Sequence, residues 1–251
     1  LYSYYEYGIE CLQKFIGMFA FAIFDYRNER SYIVRDRLGV KPLYYHRNGD
    51  VLTFSSEIKS ILKIVDIDPE INIKAVSSYF SFRYPILNDT FFKEIFSVPP
   101  AHYIEISNNC FTVKEYWNLS CKFKEQSIDK GEEYYVQGIK QLLESSVKYR
   151  MLSDVPIGSF LSGGVDSSII TAIMSKNSTN PVKTFITGFS EKNYNEFEYA
   201  KKIAIKFDTN HHEILVGGES YIHSMEELIG YKDAPLSVPN EVPLYIMSKE
   251  L

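Results

Sequence analysis

The chain has 251 residues, 45% of them apolar and 24% charged, and a formal net charge of −5 at pH 7. That length suits one large or two modest domains, while 13 glycines and 10 prolines are too few for a fibrous or disordered chain. The mild acidity lacks the basic footprint of a nucleic-acid binder, and no apolar run reaches the roughly eighteen residues of a membrane span. The opening Leu1-Tyr2-Ser3-Tyr4-Tyr5-Glu6 has neither the basic start nor the apolar core of a secretory leader. Cys11, Cys110 and Cys121 cannot all pair and stand in no zinc-like spacing, which points to reduced thiols in a cytoplasmic protein.

In chain order, residues 19–24, 31–34, 41–45 and 51–54 are short runs rich in aromatic and β-branched residues, separated by turn signals. Asn48-Gly49 reads as a hairpin turn between two of them. Helical spacing follows at 57–64 and 73–82, and 102–106 and 111–117 return to strand, so the first part reads as a meandering antiparallel sheet with added helices. The aperiodic stretch 118–131, punctuated by Asp129-Lys130-Gly131, reads as a linker.

Beyond it, helix and strand alternate. Residues 132–151 place Tyr135, Ile139, Leu142, Leu143 and Val147 on one helical face. Strands are expected at 157–161, 184–189 and 212–216, with helices through 169–174 and 196–207 between them. That order predicts parallel strands joined by crossover helices, whose ligands sit at the carboxyl ends of the strands. The chain starts with Leu1 and stops inside an unfinished helix, whose pattern Leu244-Tyr245-Ile246-Met247-Ser248 runs on with no capping residue, so the expectation is a piece of a longer polypeptide.

The loop after the first of these strands is Leu161-Ser162-Gly163-Gly164-Val165-Asp166-Ser167-Ser168. Paired glycines let main chain turn sharply against a ligand, and the helix N-terminus that follows favours an anion. Ser162 and Ser167 supply hydroxyl donors, whereas Asp166 repels phosphate and makes sense as a Mg²⁺ ligand beside it. The letters exclude a Walker A loop, a dinucleotide fingerprint and a serine-hydrolase elbow, since position 160 is Phe160 rather than glycine. An ordinary helix entry with Ser and Asp caps would use similar residues, but not the double glycine after a buried strand. Elsewhere, Arg35-Asp36-Arg37 reads as a strand-end salt-bridge network, and the 20 tyrosines and 17 phenylalanines as mainly core. His211 and His212 lie next to each other on a strand and so cannot converge on a metal. Asp233-Ala234-Pro235 and Pro239-Asn240-Glu241 read as turns.

Ser162-Gly163-Gly164-Val165-Asp166-Ser167 resembles the PP-loop of ATP pyrophosphatases. The run from Ser153 to Ser168 resembles glutamine-dependent asparagine synthetases in particular, as do residues 17–25, 35–45, 55–59 and 99–103. The resemblance implies a mixed α/β and α+β chain, in which a partial αββα glutaminase sandwich is followed by the start of a doubly wound parallel-sheet PP-loop synthetase domain. Residues 1–117 would be the C-terminal half of the class II glutaminase domain, 118–131 a linker, and 132–251 the N-terminal part of the ATP-binding domain. The implied reaction amidates aspartate to asparagine with ammonia from glutamine, through an acyl-adenylate, releasing AMP and pyrophosphate. By position, Leu161, Ser162, Gly163, Gly164, Asp166, Ser167 and Ser168 match the family's ATP loop. Thr187 stands where main chain contacts adenine, and Glu196 and Ala200 fit the next helix. ATP and Mg²⁺ are the implied cofactors and glutamine and aspartate the substrates, with no nucleic-acid or membrane partner and with homo-oligomerisation left open.

Two departures matter. Cys11 follows Glu10 in a helical stretch and offers no free α-amine, so the N-terminal Cys nucleophile is expected upstream of Leu1. The second pyrophosphate loop and a late catalytic lysine are expected beyond Leu251, which makes the 251-residue piece inactive by itself. The alternatives are a related amidotransferase for another carboxylate, such as a surface polysaccharide sugar acid or a β-lactam precursor, and a degenerate non-catalytic module.

Overall fold

The computed structural model describes residues 1–65, 68–108, 110–122, 128–189 and 195–250, together forming a mixed α/β protein. Two compact units divide at Ser127 and Ile128. The 123–127 part of the expected linker, the side chain of Cys121 and the last residue, Leu251, lie outside the described residues.

The first unit opens with α1 (Tyr2–Tyr7) and a 3-10 segment (Gly8–Lys14). β1 (Ala20–Asp25), β2 (Arg30–Arg35), β6 (His102–Ser107) and β7 (Cys110–Glu115) form one antiparallel sheet in the order β1-β2-β6-β7. β3 (Tyr44–Asn48), β4 (Val51–Ser55) and β5 (Ile95–Ser97) form a second, ordered β4-β3-β5. The strands therefore split into two sheets instead of one meander, because β2 is apolar on both faces and needs cover on each. Tyr32 and Val34 pack with Cys11 and Leu12, while Ile33 packs with Leu43, Val98 and Ile104. Tyr45, Leu52 and Phe54 of the second sheet join that latter cluster. The hairpin signal at Asn48-Gly49 is realised one residue later, since Asn48 pairs with Val51 and Gly49-Asp50 makes the turn. α2 (Ile58–Val65) and α3 (Ile73–Phe82) match the helical spacing, and the Asn72 side chain caps α3 by accepting the Lys74 and Ala75 amides. A short α4 (Leu119–Lys122) occupies what the sequence gives no periodicity for.

The second unit contains α5 (Glu132–Arg150), β8 (Gly158–Phe160), α6 (Val165–Asn177), β9 (Lys183–Phe189), α7 (Phe197–Lys206), β10 (Asn210–Val216), α8 (Gly218–Lys232) and α9 (Glu241–Lys249). The three strands are parallel, in the order β10-β9-β8. α5 departs from expectation. Of its apolar face only Val147 is buried, against Met174 and Val182, while Tyr135, Ile139, Leu142 and Leu143 stand exposed. Its last turns meet α6 through the Glu144–Lys176 ion pair and the packing of Val147 on Met174. The aromatic residues also divide: Tyr2, Tyr5, Tyr26, Phe80 and Tyr84 are exposed rather than core.

The turn after β2 shows how main-chain polar groups are satisfied. Asp36 is buried, and its carboxylate accepts the amides of Lys41 (2.9 Å), Val40 (3.0 Å), Leu38 (3.1 Å) and Phe19 (3.3 Å). The Arg35 guanidinium donates to the carbonyls of Val98 (2.7 Å), Gly39 (2.8 Å) and Lys41 (2.9 Å) and to Ser97 Oγ (2.7 Å). Arg37 donates to Gln13 O and lies over the Trp117 ring. This replaces the expected salt-bridge network with one in which side chains hold main chain. It also explains why the strand predicted from residue 41 starts only at Tyr44, since the amides of Val40 and Lys41 are taken by Asp36.

Burial by itself would raise the Asp36 carboxyl, but the four amides outweigh it and hold the group below its ordinary value. The stability it confers is present above the unfolded carboxylate pKa and is lost as pH falls through the lower, folded value. Asp36→Asn should destabilise the chain by about 3 kcal/mol at pH 7, because a donor would face donors. Urea unfolding from pH 7 down to 3 should show the gap between variant and wild type shrinking with acidity.

Candidate functional site

β8 delivers the chain into the glycine loop in a fixed position. Leu161 is fully buried among Ile186, Ala200 and Ala204, and its amide donates to Phe185 O at 2.9 Å. The role of Leu161 is therefore to anchor the strand end through packing. Gly163 follows with φ +80, a region costly for residues bearing a Cβ. A Cβ there would fall 2.5 Å from Tyr199 Cβ and 2.6 Å from Ala200 N. Glycine is thus required twice over, by conformation and by the close approach of α7. Gly164 is different: its φ of −69 is ordinary, and a Cβ would meet only Ser162 Oγ, at 3.3 Å.

Around Gly164 the hydroxyls form a compact set. Ser162 Oγ and Ser167 Oγ are 3.0 Å apart, and the Gly164 amide donates to Ser162 Oγ at 3.3 Å. The Gly164 carbonyl accepts from Ser168 Oγ (2.7 Å), Ser167 Oγ (3.2 Å) and the Ser168 amide (3.0 Å). No side chain caps the α6 N-terminus, so its first amides and the positive end of the helix dipole are left to an external acceptor. Asp166 is exposed in that first turn.

Beside the loop lies an open cleft of about 770 Å³, within the range of small-ligand sites. Phe160, Leu161 and Ser162 form one part of its lining, and Phe185, Ile186, Thr187 and Phe189 of β9 another. Asn195, Glu196 and Tyr199 come from the entry to α7, Asn240, Pro243 and Leu244 from the start of α9, and Met247 from its last turns. Asn195 bonds the Phe189 amide and carbonyl, both at 2.6 Å, and so extends the hydrogen bonding of β9 past its end. Of the residues singled out in the sequence, Leu161, Ser162, Thr187 and Glu196 share this cleft. Gly163 and Gly164 shape the turn, and Asp166, Ser167 and Ser168 sit on the adjoining helical turn, outside the lining. The helix through residues 244–248 and the strand carrying Phe160 are legible in the sequence, but their place in the cleft lining is not. The one available signal was Asn240 followed by Pro243, a helix-start pattern read above only as a turn.

Among the described residues no group of three or more His, Cys, Asp or Glu side chains converges as a metal site. His211 bonds Thr184 Oγ1 at 2.9 Å, whereas His212 stacks on Phe185, so the adjacent imidazoles do diverge. Burial lowers the His211 pKa and keeps its ring neutral. Cys11 is buried and Cys110 exposed, both free, and burial pushes the Cys11 thiol up, away from a nucleophilic thiolate. No described helix is long and apolar enough to cross a membrane.

Comparison with known proteins gives two family matches: a glutamine amidotransferase domain over residues 1–117 and asparagine synthase over residues 138–251. Among curated relatives, glutamine-hydrolysing asparagine synthetase 1 of Bacillus subtilis is 33% identical over 251 residues, covering 100% of this chain and 39% of the relative. Asparagine synthetase 3 of the same organism is 31% identical over 94% of this chain and 40% of its own length. An amidase of Penicillium rubens is 31% identical over 93% of this chain and 36% of its own. The chain thus spans about two-fifths of the length of the first of these relatives. Two domain matches in this order, with similarity along the whole chain, carry one conclusion: the chain belongs to the glutamine-hydrolysing asparagine synthetase family.

Proposed function

We propose that the whole protein amidates aspartate to asparagine with ammonia released from glutamine, using ATP through an acyl-adenylate and releasing AMP and pyrophosphate. The single observation that carries this reading is the uncapped start of α6, reached through Gly163 and Gly164 and adjoining a cleft of nucleotide size. Residues 1–117 are read as the second half of an αββα glutaminase sandwich, 118–131 as a linker, and 132–251 as the first part of a PP-loop domain. The two sheets sharing one apolar cluster and the parallel β10-β9-β8 sheet support that division. The cytoplasm is the proposed compartment, in keeping with an exposed free thiol at Cys110.

In this reading the adenine lies against the main chain at Thr187, and the polyphosphate runs toward α6. Ser162, Ser167 and Ser168 bring hydroxyls, and the first-turn amides of α6 hold the pyrophosphate as its charge develops. The substrate carboxylate oxygen attacks the α-phosphorus and the bond to pyrophosphate breaks. Ammonia then attacks the acyl carbon, and AMP leaves with the bonding electrons. Activation is needed because a carboxylate has no good leaving group, whereas an acyl phosphate does. Asp166 suits Mg²⁺: it is a single exposed carboxylate beside the phosphate seat, and this ion is commonly held by one or two carboxylates plus phosphate oxygens and water. When bound, Mg²⁺ would offset phosphate charge.

A second reading is the same chemistry on a different carboxylate. The Penicillium amidase, as similar to this chain as the second Bacillus enzyme, favours keeping it. Incubating the whole protein with Mg·ATP, glutamine and either aspartate or a panel of sugar acids, and detecting AMP with the amide, separates the two. Asparagine formation supports the first reading; amidation of a sugar acid without asparagine supports the second.

Three outcomes are expected. Asp166→Asn should lower kcat/KM for ATP by about a hundredfold with little change in folding. Gly163→Ala should destabilise the unit that contains it by about 3 kcal/mol in urea unfolding, whereas Gly164→Ala should fold nearly as the wild type. The isolated 251-residue chain should release no ammonia from glutamine, since Cys11 is buried and its thiol protonated; a rate above background would contradict this.

A further inference from the structure

α8 ends at Lys232, with Asp233 in the left-handed region, and α9 begins at Glu241. The connection between them is tied from one cation and one carboxylate. Lys232 Nζ donates to Glu241 Oε2 at 2.5 Å and to Pro235 O at 3.0 Å, and Glu241 Oε1 accepts the Ser237 amide at 3.0 Å. Both side chains are mostly withdrawn from water, at 26% and 21% exposure. Burial acts to raise the Glu241 carboxyl, but Lys232 and the Ser237 amide outweigh it and hold the group below its ordinary value. Glu241 is therefore held in its ionised form, and a half-buried, multiply hydrogen-bonded ion pair fixes geometry better than a surface one.

What it fixes is specific. Glu241 is the first residue of α9, and the fully buried Val242 follows it. Asn240, Pro243 and Leu244, on that same helix start, line the cleft described above, as does Met247 farther along α9. We propose that Lys232 and Glu241 are positioning residues of the nucleotide cleft: their ion pair seats the first turn of α9 and so sets the wall that faces the bound nucleotide. The inference rests on the nucleotide reading of that cleft. The opposite end of the α8–α9 pair offers an internal comparison. There Lys249 bonds Glu227 at 2.8 Å, but Lys249 is half-exposed and neither residue lines the cleft. A pair that merely staples two helices together would behave like Lys249–Glu227.

The experiment is titration of the whole protein with Mg·ATP by calorimetry, alongside thermal unfolding and the glutaminase KM for glutamine. Lys232→Met should weaken Mg·ATP binding by about fivefold while leaving the glutamine KM unchanged. Glu241→Gln, which keeps an acceptor for the Ser237 amide, should weaken it by a smaller factor, and the double variant should be no worse than Lys232→Met, since both act through one device. Lys249→Met should bind Mg·ATP as the wild type does. An unchanged Kd in Lys232→Met with a lowered Tm, or an equal loss in Lys249→Met, would overturn the proposal. If Lys232→Met does not fold, an unchanged Kd in Glu241→Gln overturns it instead. A wild type that binds no Mg·ATP would overturn the nucleotide reading itself, a result distinct from any change confined to the variants.

Discussion

The contact of Gly163 against the α7 main chain governs the second unit. A turn with positive φ, pressed to within van der Waals range of Tyr199 and Ala200, leaves no freedom in where α6 starts. Leu161 on one side of the turn, buried with Ala200 and Ala204, locks the same two elements together through apolar packing. The direction of α6, the exposure of its first amides and the position of Ser162 at the cleft edge all follow from that approach. Small residues on both partners, glycine on the loop and alanine at 200 and 204 on the helix, make it sterically available.

The first unit solves a different problem by a comparable economy of means. A central strand buried on both faces must be flanked by hydrogen-bonded neighbours and covered twice, and β2 achieves this between β1 and β6. Where the chain leaves β2 it can no longer pair main chain with main chain. Asp36 and Arg35 then take over, a carboxylate collecting amides and a guanidinium collecting carbonyls. Charged side chains spent on main chain in this way are unavailable for catalysis, which assigns the Arg35-Asp36 pair to architecture.

Legibility in the sequence followed the range of the interactions involved. Periodicity located β1, β2, β4, α3, β9 and α7 to within a residue or two, because local spacing and face burial agree in them. The Ser162–Ser168 loop was legible because paired glycines and hydroxyls are a local signature of main-chain geometry. β5, only Ile95–Ser97, was not, since three residues show no period. The apolar spacing of α5 overstated its burial, because spacing says which residues share a face and not whether anything covers it. The pairing that seats α9 was not legible for another reason: Lys232 and Glu241 are nine residues apart across an irregular connection, a separation matching neither helix nor strand.

The bare start of α6 has a thermodynamic corollary. A glycine N-cap such as Gly164 costs a helix only about a few tenths of a kcal/mol relative to Ser or Asp, but it leaves the first amides of α6 with no side-chain acceptor. An anion arriving there supplies the missing acceptor, and by mass action whatever binds the folded form in preference to the unfolded one also makes the fold harder to melt. On the nucleotide reading proposed above, ligand affinity and the stability of the fold around residues 162–168 are two measures of the same free energy.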